Sequence, residues 1–72
     1  MFGMLLSSQE QKELQYLIKK EMDEILFDLE DERISNVVKR SMEERYKILF
    51  LMLQRIAPKN EYIAYLRSKK YK

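Results

Sequence analysis

The carboxylates of Glu21, Glu24 and Asp28 stand at i, i+3 and i+7, a spacing that lines them along one face of a helix. Hard divalent cations take oxygen ligands, so this row is the best candidate in the chain for metal chemistry. A helical site of that kind needs a second carboxylate pair on a facing helix. The second half of the chain offers only Glu43 and Glu44, and antiparallel packing would set them beside residues 21–22. A charge row on a helix is ordinarily a solvated face, and no metal site is assigned.

The other chemical candidate is basic. Lys59, Arg67, Lys69, Lys70 and Lys72 alternate with Tyr62, Tyr65 and Tyr71, a mixture that can contact phosphates and stack on bases. Arg33, Lys39, Arg40 and Lys47 would extend the patch along the second helix. The contact set for nucleic acid would then be Lys59, Arg67, Lys69, Lys70, Tyr71 and Lys72. Against this stand a net charge of only +2 and a pI near 8.9. Nucleic acid is therefore the second choice of partner.

Composition removes most enzymes. The chain has no histidine, cysteine or tryptophan, and no threonine either. An imidazole triad, a catalytic thiol, a disulfide framework and a Cys or His zinc site all fall away. Five serines remain, but without histidine, and the lysines fall on polar faces rather than in a pocket where one could activate them. One glycine, Gly3, cannot build a phosphate-cradling loop. The chain reads as non-enzymatic, with no cofactor.

The elements that position these residues are helical. With one glycine and one proline, the turns a β-sandwich requires are missing. Ser7 with Glu10 fits a capping box, and Ser8 with Gln11 is a second register of it. Beyond it Leu14, Leu17, Ile18, Met22, Ile25, Leu26 and Leu29 recur at three- and four-residue steps, which predicts a helix over 8–30. Acidic residues 30–32 suit a helix start better than a helix end, so a turn is placed near 30–35, with Asp31 or Ser35 as the next cap. The competing reading is one unbroken helix of about fifty residues, roughly 75 Å long.

The second helix is expected over 35–57, ended by Pro58, with a core stripe of Ile34, Val38, Met42, Tyr46, Leu49, Met52, Leu53 and Ile56. Residues 48–53 are apolar all round, a pattern that calls for burial on every side. A short helix over 59–68, with Pro58 in its first turn or Asn60 as cap, and a basic tail over 67–72 complete the chain.

Charge supports folding these helices together. Residues 1–32 hold three lysines against nine carboxylates, a net of −6, while 33–58 and 59–72 each carry +4. An acidic helix lies favourably along a basic one. In an antiparallel hairpin, residues whose numbers sum to about 65 face each other. Met22 then meets Met42, Ile18 meets Tyr46, and Glu21 stands opposite Arg45 as a structural ion pair; the plain alternative is that Arg45 extends to water. The apolar residues 1–6 would run past the end of the second helix and pack Phe2, Leu5 and Leu6 on Tyr62, Ile63 and Leu66.

The expected fold is therefore all-α: one domain over 1–72, an antiparallel hairpin with a short third helix. Apolar side chains are left over. Tyr16 and Phe27 fall opposite the core face of the first helix, Ile34 joins them if that helix runs on, and Ile48, Phe50 and Leu51 belong to the apolar-all-round stretch. These six are the expected partner or dimer interface, with two hairpins forming a four-helix bundle as a homodimer. The leading functional reading is a small protein–protein interaction module of a regulator, inhibitor or accessory subunit. No run approaches the twenty or so apolar residues of a membrane span. The opening residues lack the basic region of a signal peptide, and Phe2 stands where myristoylation needs glycine, so the expected setting is cytoplasmic.

Overall fold

The computed structural model describes residues 3–66. Helix α1 spans Ser8–Leu29, α2 spans Asn36–Ile56, α3 is a single turn over Lys59–Tyr62, and a 3₁₀ turn follows over Ile63–Tyr65. The two long helices pack side by side as a hairpin. The unbroken-helix alternative is thereby excluded.

Local chemistry sets each boundary. The Ser7 hydroxyl accepts from the Glu10 amide, and the Glu10 carboxylate accepts from the Ser7 amide, which completes the box in the first of its two registers. The link between α1 and α2 is built on Asp31. Its carboxylate accepts from the Arg33 backbone amide at 2.9 Å and holds the Arg33 guanidinium through both oxygens. That two-residue closure is the side-chain turn that aspartate favours. Ser35, not Asp31, caps α2 by accepting from the Val38 amide. No residue of the turn needs a positive φ, so it forms without glycine. At the far end Ala57 is extended ahead of Pro58, as the proline ring requires.

The core is small. Ile18, Met22 and Ile25 of α1 meet Tyr46 and Leu53 of α2, and Met22 and Leu53 are wholly buried. Leu14, Leu26, Leu29, Met42, Leu49 and Ile56 pack around them. Burial of a side chain of this size contributes about 1.5–3 kcal/mol.

The third helix is shorter than the expected 59–68. No side chain caps Pro58, and four residues cannot offset the cost of nucleating a helix. The chain tightens to 3₁₀ and becomes extended at Leu66. Its aromatic residues nevertheless reach the hairpin. Tyr62 and Tyr65 pack on the core, and the Tyr62 ring meets Phe50 edge-on with centroids 6.0 Å apart.

Three expectations about packing fail for one reason. Leu17, Val38 and Met52 were assigned to the core stripes, yet each is about half exposed or close to it. At about 100° per residue they lie on one flank of the hairpin, together with Glu21 and Arg45. The C-terminal segment packs on the opposite flank, where Phe50, Lys19 and Asp23 point. One flank is covered and the other is open.

The stretch 48–53 shows the same division. Leu53 is buried and Phe50 half-buried, whereas Ile48, Leu51 and Met52 are exposed. The N-terminal residues do not close the gap either. Leu5 is 100% exposed and so packs on neither Ile63 nor Leu66, which are themselves exposed, whereas Leu6 is half-buried. Phe2 lies outside the described residues.

Candidate functional site

Side-chain hydrogen bonds fasten the covered flank. The Gln11 and Gln15 amides both donate to the carbonyl of Ile56, at 2.7 and 2.6 Å. The last carbonyls of a helix have no partner within it, and these two glutamines supply one from α1. Lys19 Nζ lies 2.6 Å from Glu61 Oε1 and ties α3 to α1. The Tyr46 hydroxyl donates to the Tyr65 carbonyl at 2.7 Å. Burial, with the negative charge of Asp23 beside it, pushes the Tyr65 phenol above its ordinary pKa. Sequence reasoning missed Gln11, Gln15, Lys19 and Glu61 as structural ties. The one signal it could have used is the i, i+4 spacing of two amides at the start of α1, level with the end of α2.

On the open flank Arg45 Nη1 lies 2.9 Å from Glu21 Oε2. This is the pair set by the hairpin register. It is more than one-third exposed on both sides, so its contribution to stability is small. Because Glu21 already faces a guanidinium, the row of Glu21, Glu24 and Asp28 is not a free ligand set. Among the described residues no group of three acids could hold a metal ion.

The six expected interface residues do not form one patch. Tyr16 and Phe27 are eleven residues apart, three helical turns, and both project from α1 away from α2. Tyr16 is 58% exposed and Phe27 77%. Ile48 and Leu51 project from α2 on the opposite edge of the hairpin. Phe50 is half-buried against Tyr62 on the covered flank, and Ile34 lies half-buried in the turn. Between Tyr16, Phe27 and Tyr65 runs an open groove of about 650 Å³ along α1, with Asp23, Glu24 and Asp28 on its walls.

The basic set is also divided. Lys59 is exposed, while Arg67, Lys69, Lys70, Tyr71 and Lys72 lie outside the described residues. Arg33 is bound to Asp31 in the turn, and Lys39 is half-buried toward the core side of α2. Only Arg40 and Lys47 share the outer edge of α2 proposed for phosphate contact. No helix among the described residues is long and apolar enough to cross a membrane. Comparison adds no relative, since no protein family, curated protein or solved structure matches the chain.

Proposed function

We propose that this chain is a small non-enzymatic, cytoplasmic interaction module, a regulator, inhibitor or accessory subunit that binds protein through apolar side chains presented by its helices. One observation carries the reading. Phe27 exposes 77% of its surface on the outer edge of α1, with Tyr16 on the same edge three turns away. Aromatic side chains lose much by facing water and little conformational freedom on binding, so they dominate interface energetics. The exposed apolar set extends along α2 as well, in Val37, Ile48 and Leu51. The residue types of the chain suit this role, since without imidazole or thiol the available chemistry is charge and apolar surface.

The test is affinity capture from the native cell, comparing the natural chain with Tyr16→Ser and Phe27→Ser. Both positions are exposed, so melting temperature and helicity are expected to stay unchanged. Proteins retained by the natural chain and lost from both variants support the module. Equal capture by all three rules out the α1 edge. Phe50→Ser serves as the contrast, because Phe50 packs against Tyr62 and its loss lowers stability directly.

A further inference from the structure

The groove on the outer edge of α1 narrows the kind of partner that edge can take. Its apolar contacts are three rings, Tyr16, Phe27 and Tyr65, of which the first two are exposed and the third half-buried. Tyr16 and Phe27 stand eleven residues apart, about 16 Å along the helix at about 1.5 Å per residue. That span is too long for one small cation to touch both rings. An extended peptide of about five residues covers it, at about 3.3 Å per residue. A helical partner would dock through a continuous apolar stripe, and here charged residues separate the rings.

Charge then selects the occupant. Three carboxylates, Asp23, Glu24 and Asp28, line the groove beside the rings, against the ammonium groups of Lys19 and Lys20. Lys19 is already held by Glu61 at 2.6 Å, so Lys20 is the lining cation left to face a guest. Among the described residues none of the three carboxylates is in an ion pair. A phosphate backbone or an acidic peptide would meet them with like charge, which is unfavourable. A cationic side chain is attracted by the carboxylates and by the ring faces alike. Guanidinium suits both best, because it is planar, stacks on aromatic faces and donates in pairs to carboxylates.

We propose that the groove along α1 receives an extended, arginine-rich segment of a partner protein, with guanidinium groups over Tyr16 and Phe27 and facing Glu24 and Asp28. This rests on the interaction-module reading and names the chemistry of the partner. Lys20 lies between the two exposed rings and opposes the guest. Contacts this exposed are individually weak, so binding falls steeply with added salt.

Backbone amide NMR of the full natural chain tests this. The probes are three six-residue peptides that alternate glycine with arginine, lysine or glutamate. At low salt the arginine peptide is expected to shift the amides of residues 16–28 and of Tyr65. The lysine peptide is expected to bind more weakly, and the glutamate peptide to move nothing. Tyr16→Ser, Phe27→Ser and Glu24→Gln are each expected to weaken the arginine peptide about two- to fivefold, and Lys20→Gln to tighten it by a similar factor. All four positions are exposed, so helicity is expected to stay unchanged in each variant. Absence of shifts with the arginine peptide, equal binding of the glutamate peptide, or no tightening in Lys20→Gln overturns the assignment. Binding that appears only once Arg67→Ser, Lys69→Ser and Lys70→Ser are combined overturns it too, because the occupant is then the chain's own basic segment. Capture from the cell separates the two readings. Capture that depends on Phe27 but is indifferent to Glu24 and Lys20 leaves the module standing and overturns the arginine-rich occupant. Arginine-peptide binding without any Phe27-dependent capture supports the chemistry of the groove and overturns the module.

Discussion

The side-chain amide of Gln15 donates to the main-chain carbonyl of Ile56 across 2.6 Å and joins positions 41 residues apart. Gln11 donates to the same oxygen from one turn earlier. Two donors on one acceptor imply redundancy. Gln11→Ala or Gln15→Ala alone is expected to cost under about 1 kcal/mol, and the pair together about 1–2 kcal/mol, more than the sum of the singles. Urea unfolding of the three variants measures this. Strict additivity would show that the two bonds act independently.

The Tyr46 hydroxyl donates to the Tyr65 carbonyl at 2.7 Å and ties α2 to the C-terminal segment. Tyr46→Phe removes the donor and keeps the ring in the core. We expect a loss of about 0.5–1.5 kcal/mol, with hydrogen exchange accelerating most strongly at residues 62–66. Uniform acceleration over the whole chain would contradict a local anchoring role.

Exposure separates Met22 from Leu17, although they sit five residues apart on the same helix. Met22→Ala in the buried core is expected to cost about 2–5 kcal/mol. Leu17→Ala, at a half-exposed position, is expected to stay within about 0.5 kcal/mol. Comparable losses would mean that the open flank is closed in solution even in a single chain.

Glu21 and Arg45 meet at 2.9 Å with side chains 36% and 62% exposed. A double-mutant cycle with Glu21→Gln and Arg45→Met is expected to give a coupling of about 0.2–1 kcal/mol, falling with added salt. A coupling near 3 kcal/mol would mark a desolvated pair and contradict the exposure.

Hydrogen bonds from the Arg33 side chain and backbone hold the Asp31 carboxyl below its ordinary pKa. For an acid depressed in the folded state, the stabilisation is present above the unfolded pKa, near 3.9, and is lost as pH falls through the lower folded value. Acid titration followed by carboxyl NMR is expected to find Asp31 protonating below the ordinary aspartate range. Asp31→Asn is expected to flatten the acid limb of the stability curve. An Asp31 that titrates at its ordinary value would leave the turn without its charge-assisted bonds.

Much of this architecture was legible because its signals are local. Ser7, Glu10 and Ser35 announce helix starts within four residues, and Pro58 announces an end, so the long helices fall within a residue of expectation. Register was legible too, since a hairpin with a short link leaves little freedom, and residues 21 and 45 meet. What the pattern could not show was sidedness. A period of 3.6 gives the width of an apolar stripe, but nothing local says which of its flanks a third element will cover. Leu17, Val38 and Met52 looked like core for that reason. The glutamine clamp was hidden likewise, because a side chain bonded to a carbonyl 41 residues away leaves no short-range mark. The residues expected at an interface stood out as surplus apolar side chains, and their division between two edges became visible only when the helices were placed.

A turn with no left-handed residue, joining two helices that are neighbours in sequence, also has a consequence in time. Nearly all early contacts are local, which places the hairpin among fast-folding helical topologies, on the microsecond to millisecond scale. The bonds from Gln11 and Gln15 to Ile56 close loops of 45 and 41 residues and are expected to form late. Mutations in the turn would then slow folding, whereas loss of the clamp would speed unfolding and leave the folding rate almost unchanged.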